Sequence, residues 1–207
     1  MLCVGMQMRA HVSDQSLCIP TVDRGNEKRS HEGVMPSSLW LIVRGALSFG
    51  VALALTPLAA VILPTSVIAN FGGAFVLGAL AGIGISYGSG SEARSATAFG
   101  CGFVIAIAMV MFSLISIQGG GRPDFTWGAI AGGIGLGIAG AMGGASIRLV
   151  FLIPGAIAFG VGGAIGGFLS FKAIDLNYGL ESLVVAWGLA GTIAGGLFGA
   201  AIAASSR

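Results

Sequence analysis

Long uncharged stretches separate the charged residues of this chain, and their lengths predict its architecture. After Arg44, the uncharged intervals are 45–91, 95–121, 125–147, 149–171 and 182–206. A helix that spans a bilayer needs about 20 residues, so each of the last four intervals has room for one helix. The first interval has room for two, and Pro64 and Thr65 supply a turn near its middle. The pattern predicts six helices, at residues 39–63, 66–88, 96–117, 126–146, 149–170 and 181–203.

The composition agrees with helices that cross a bilayer. The chain is 55% hydrophobic and 9% charged, whereas a soluble domain carries about 25% charged residues. We therefore predict an all-α, polytopic membrane protein whose main partner is the lipid bilayer. A formal net charge of +2 gives no reason to expect a nucleic-acid partner.

Glycine recurs every four residues within several of the predicted helices, among 37 glycines in all. Positions four apart share one face of a helix, and a face of glycines lets two membrane helices approach until their backbones touch. We therefore predict a bundle with glycine-zipper (small-xxx-small) packing. The helix-packing residues that we single out are Gly128, Gly132, Gly140, Gly144, Gly162, Gly166, Gly191, Gly195 and Gly199.

The distribution of bulky residues differs between helices and predicts their places in the bundle. The fourth helix has three rows of small residues and only one bulky row, so we expect it at the centre, contacted from several sides. Helices 1 and 3 are bulkier, and residues 103–117 contain no glycine. We expect these two helices to face lipid.

The N-terminal segment, residues 1–38, is unlike the rest of the chain. It is polar, it holds both histidines, and it has no periodic apolar face. Two interpretations stay open, a disordered extension or a start assigned too early, with Met35 as the alternative start. Ser38 would then cap the first helix, and residues 39–207 would form the membrane domain.

The basic residues predict the orientation. Six helices place Arg24, Lys28, Arg29, Arg44, Arg94, Arg148 and Arg207 on one side, and Arg122 and Lys172 on the other. Because Lys and Arg are enriched in cytoplasmic loops, we expect both termini in the cytoplasm and the chain in a bacterial plasma (inner) membrane. Arg44 lies within helix 1, close enough to its end to extend its charge to the interface.

Motifs for chemistry are few. Residues 135–140 fit the pattern GxGxxG, but they lie within a predicted membrane helix and no strand precedes them, so a dinucleotide site is rejected. The predicted membrane domain contains no histidine, and its acidic residues lie at helix edges. The three cysteines have no paired spacing. We expect no catalytic, cofactor-binding or metal-binding residues, and no enzyme activity.

Two functional classes remain. A structural or assembly subunit of a membrane complex, with a protein partner or as a homo-oligomer, needs close packing and no interior chemistry. The alternative is a small-solute transporter, a channel or a substrate-capture subunit, because glycine-rich helices can line a substrate site. The sequence does not identify its substrate-binding residues. The polar loop at 172–181 is the first place to look for ligand entry, whereas residues 119–124 are expected to be a flexible loop.

Overall fold

The computed structural model describes residues 37–62, 66–118 and 125–205. The predictions for residues 1–36, for the turn at Pro64 and Thr65 and for the loop at 119–124 lie outside the described residues. The helices are α1 (Ser37–Ile62), α2 (Val67–Ser86), α3 (Glu92–Gln118), α4 (Phe125–Ile147), α5 (Leu152–Asp175) and α6 (Leu180–Ser205), and a short 3-10 turn at Leu149–Phe151 precedes α5.

Within the described residues, the six predicted helices are confirmed, and each is long and apolar enough to span a bilayer. Their bounds differ from the predicted ones by at most five residues. Helix α3 begins at Glu92, four residues early, because the Glu92 carboxylate accepts hydrogen bonds from the backbone N–H groups of Gly88 (2.6 Å) and Gly90 (3.3 Å). Both glycines have positive φ, 82° and 73°, a conformation that other residues rarely adopt.

The helices form a closed ring in chain order. Each helix packs antiparallel against its neighbours in sequence, and α6 packs along α1 to close the ring. Ser37 and Ser205 therefore lie at the same end of the ring, which we call the terminal end. Helices α2, α4 and α6 begin at the other end, which we call the opposite end.

The expected central place of helix 4 is wrong. Helix α4 occupies one position in the ring and packs mainly against α3 and α5. Its rows of small residues serve these two adjacent helices, while its bulky row is exposed at Ile130, Ile134 and Ile138. A helix with several faces of small residues can pack between two close neighbours as well as at the centre of a bundle, so the small residues alone do not predict its position.

The four α4 glycines singled out above all face α5 or the turn before it. A Cβ atom placed on Gly128 would lie 2.7 Å from the carbonyl oxygen of Gly167. At Gly132, a Cβ would overlap the carbonyl oxygen of Gly163, and the reverse also holds. Gly140 faces Gly155 in the same way, and Gly144 faces the carbonyl of Phe151. That these contacts act as a glycine zipper stays a prediction.

The remaining singled-out glycines lie on α5 and α6. A Cβ on Gly162 would lie 2.6 Å from the carbonyl oxygen of Ala190, and a Cβ on Gly199 would lie 2.5 Å from that of Leu41. Gly195 packs against the backbone of Gly45 on α1. The other two are Gly191, beside the carbonyl of Phe49, and Gly166, beside Ala190 and Trp187.

The expectation that helices 1 and 3 face lipid is wrong for one side of each. Phe49 and Leu53 of α1 are buried, and so are Phe103 and Ala106 of α3, whereas Phe112 on α3 is 72% exposed. Both helices supply glycines where α1 meets α6: Gly45 and Gly50 of α1, and Gly191, Gly195 and Gly199 of α6.

Candidate functional site

The ring of helices surrounds a cavity of about 200 Å³ that is partly open. The cavity lies toward the opposite end, since its α6 residues, Leu183 and Trp187, belong to the first turns of that helix. Four helices supply the lining residues: Leu53, Thr56 and Pro57 of α1, Phe103, Ala106, Ile107, Val110 and Met111 of α3, Gly132 and Leu136 of α4, and Leu183 and Trp187 of α6.

A cluster of aromatic rings closes the terminal side of this cavity. We call it the phenylalanine plug, and its members are Phe49, Phe99, Phe103, Phe159 and Phe198, each at most 1% exposed. The centroid of the Phe49 ring lies 4.8 Å from that of Phe99 and 4.6 Å from that of Phe159. Such distances are typical of favourable aromatic pairs. The plug gathers rings from α1, α3, α5 and α6, and Phe103 is shared with the cavity.

Glycines make room for the plug as well as for the helix contacts. The ring of Phe99 occupies the place that a Cβ on Gly143 would take, and a Cβ on Gly155 would lie 3.4 Å from the ring of Phe198. Small residues on α4 and α5 therefore let bulky rings from other helices fill the terminal half of the ring.

The cavity wall is almost wholly apolar. Among the lining side chains that the structure describes, only Thr56 carries a hydroxyl group, and it donates to the carbonyl of Ala52 (3.0 Å). Proline at position 57 has no N–H, so the carbonyl of Leu53 lacks its usual helical donor. Leu53 and Pro57 both line the cavity. The wall thus offers a ligand two candidate acceptors, the Leu53 carbonyl and the Thr56 oxygen. None of the lining side chains that the structure describes is charged.

Arg44 lies near the terminal end and ties α1 to the last turn of α2. Its Nε donates to the carbonyl of Gly84, and one terminal nitrogen donates to the carbonyl of Tyr87 (3.0 Å). The guanidinium carbon lies 5.3 Å from the centroid of the Tyr87 ring. A cation at the C-terminus of a helix is favoured by the helix dipole. The Arg44 guanidinium is thus bound by backbone carbonyls at the end of α2, and Arg44 does not line the cavity.

Serine hydroxyls near the same end are used in packing. Ser86 donates to the carbonyl of Gly82 (2.7 Å), and Ser146 of α4 donates to the fully buried Ser95 of α3 (3.2 Å). Over the described ranges, no three His, Cys, Asp or Glu residues come together as a possible metal site. The polar loop at 172–181 borders a separate surface groove rather than the cavity.

The plug and the cavity were missed in the sequence, although a signal for the plug exists. A Phe-Gly pair occurs in α1, α3, α5 and α6, at residues 49–50, 99–100, 159–160 and 198–199. Each of these four phenylalanines belongs to the plug. Adjacent helical residues point about 100° apart, so the ring fills the interior while the glycine turns toward another side. A fifth pair, at 71–72 in α2, places its phenylalanine outside the plug.

Comparisons with known proteins do not assign the chain to a family, since no family model, no curated protein and no solved structure matches it.

Proposed function

We propose that this non-catalytic multi-pass membrane protein binds one small, uncharged and mostly apolar solute in its central cavity, as a carrier or as the substrate-capture subunit of a transporter. The observation that carries the proposal is an apolar cavity inside a closed ring of helices, with a floor of packed aromatic rings. The proposed setting is a bacterial inner membrane, with both termini in the cytoplasm.

The volume and the lining set the chemical class of the solute. An apolar cavity of about 150 Å³ holds benzene, so 200 Å³ suits a molecule with one substituted ring. A charged solute would lose its hydration without gaining a partner, which is costly. The Leu53 carbonyl or the Thr56 oxygen would accept a hydrogen bond from the solute. A neutral ring with a single hydroxyl or N–H donor therefore fits best.

The phenylalanine plug favours a carrier or a capture subunit over an open channel. Its rings pack in mutual contact between the cavity and the terminal end, so a solute cannot pass them without a rearrangement. A cavity that is closed on one side and lies within a membrane bundle is typical of one state of an alternating-access carrier.

The test uses 4-bromophenol, a neutral ring with one donor and a bromine atom that quenches tryptophan fluorescence. Substituting Trp40→Phe and Trp127→Phe leaves Trp187 as the only tryptophan, beside the cavity. We expect saturable quenching of Trp187 and a higher unfolding temperature, because a ligand that binds only the folded state stabilises it.

The control compares the same substitution inside and outside the ring. Val110→Phe fills the cavity and should abolish saturable quenching. Val76→Phe on the exposed face of α2 should leave it unchanged. Quenching that rises linearly with probe in all variants would mean that the probe only partitions into detergent, and the proposal would fail.

A structural or assembly subunit is the second candidate. The observation in its favour is the close backbone packing of α4 against α5 and of α1 against α6, which suits a rigid scaffold. Extraction in mild detergent separates the two roles. A partner at fixed stoichiometry, with no binding of the probe, would favour assembly.

A further inference from the structure

An open groove runs along the outer surface between α5 and α6, and its volume is about 560 Å³. It is separate from the central cavity, because its α6 residues, such as Val185 and Leu189, are exposed outside the ring. Two buried alanines, Ala173 and Ala186, are among its lining residues and give it depth.

The groove is polar at one end and apolar along its length. Lys172, Tyr178, Glu181 and Ser182 line it near the opposite end, where α5 ends and α6 begins. Leu169 and Leu189 line the part of the groove that lies farther from the opposite end, toward the middle of the helices. With a rise of 1.5 Å per residue, the groove extends roughly 12 Å along α6 from Glu181 to Leu189. If the six helices span a bilayer, the polar end lies at headgroup depth and the leucines lie among acyl chains.

We propose that this groove is a binding site for a phospholipid with an ethanolamine headgroup. The Lys172 ammonium faces the lipid phosphate, and the Glu181 carboxylate, with the Ser182 hydroxyl, accepts hydrogen bonds from the lipid ammonium. One acyl chain lies along the apolar wall that includes Val185 and Leu189. The site depends on the membrane location of the bundle and not on the function proposed for the cavity.

The charges at the polar end select this headgroup. In the described part of the chain, Lys172 and Glu181 form no ion pair with each other or with another residue, so a cation and an anion are both presented to the groove. A glycerol headgroup presents the same phosphate to Lys172 but has no ammonium group to pair with the Glu181 carboxylate. A choline headgroup has no N–H to donate, whereas a primary ammonium has three donors.

The experiment is native mass spectrometry of the full chain in detergent, with equal amounts of phosphatidylethanolamine, phosphatidylcholine and phosphatidylglycerol of the same acyl composition. The native protein should retain ethanolamine lipid in preference to the other two. Glu181→Gln should remove the preference over choline lipid, and Lys172→Gln should weaken all three lipids. We expect each change to be roughly two- to five-fold, the range for exposed ion pairs.

Two further variants keep the result interpretable. Arg94→Gln removes one exposed positive charge at the terminal end and should leave lipid retention unchanged. Val185→Phe, at an exposed position, should fill the groove and reduce retention of all three lipids without unfolding the protein. Equal retention of the three lipids by the native protein, or equal losses in Lys172→Gln and Arg94→Gln, would overturn the proposal. A preference for phosphatidylglycerol would also overturn it.

Discussion

Replacing Gly132 with alanine adds a single methyl group at one of the closest contacts between α4 and α5. The new Cβ would overlap the carbonyl oxygen of Gly163 and would lie 3.1 Å from its carbonyl carbon and 3.3 Å from the Cα of Gly167. All three atoms belong to the backbone of a helix. No side chain can rotate away, so the two helices must separate or shift.

Two opposing terms set the size of the effect. Overpacking of a core costs about 1–3 kcal/mol, while replacing glycine by alanine within a helix gains about 1 kcal/mol. Gly137→Ala is the matched control, because its Cβ would make an ordinary contact, 3.4 Å from the carbonyl oxygen of Ala156. The helix-propensity gain is common to both variants and cancels in the comparison. Gly132→Ala should therefore be less stable than Gly137→Ala by about 1–3 kcal/mol.

Thermal unfolding in detergent measures this difference. For a chain of about 200 residues, 1 kcal/mol shifts the unfolding temperature by about 2–4 °C, so Gly132→Ala should unfold roughly 2–12 °C below Gly137→Ala. Gly137→Ala itself should match or exceed the native protein. If the two variants unfold at the same temperature, the carbonyl of Gly163 does not exclude a methyl group, and the argument for glycine-mediated packing fails.

Three other predictions concern the plug, Arg44 and the termini. Phe99→Ala should lower the free energy of unfolding by about 3–5 kcal/mol, because it leaves a cavity among packed rings. Phe112→Ala, at the exposed face of α3, should lower it much less. Equal losses in the two variants would contradict a packed plug. Arg44→Met should lower the free energy of unfolding by about 2 kcal/mol, because two hydrogen bonds from the charged guanidinium to the end of α2 are lost. An unchanged stability would show that α2 does not depend on these hydrogen bonds. A chain that starts at Met35 should accumulate in the membrane as well as the full chain, and loss of accumulation would refute this expectation. A reporter fused after Arg207 should be active in the cytoplasm, and a reporter active only outside would refute the predicted orientation.

The spacing of charges was sufficient to predict the helices. Lipid offers no hydrogen-bond partners to a backbone, so each uncharged stretch of sufficient length becomes helical whatever its glycine content. The bounds depend on finer contacts. The Glu92 carboxylate extends α3 backward to residue 92 by capping two loop amides, and α5 continues to Asp175, five residues past its predicted end.

The arrangement of the helices was not readable from the same residues. The small faces of α4 predicted a helix contacted from several sides, but they do not say whether its partners surround it or flank it. The contact of α6 with α1 decides this, because it closes the ring and leaves α4 with two neighbours. It joins residues about 150 positions apart, such as Gly45 and Gly195, and no local pattern encodes such a pair.

The candidate site divides in the same way between sequence and structure. The sequence alone determined that the interior carries little charge, and its Phe-Gly pairs mark four residues of the plug. Only the tertiary structure decided where a cavity remains, because a cavity is the volume left when side chains from separate helices meet. The phenylalanine rings fill the terminal half of the ring, and the side chains of Thr56, Val110 and Trp187 do not fill the other half.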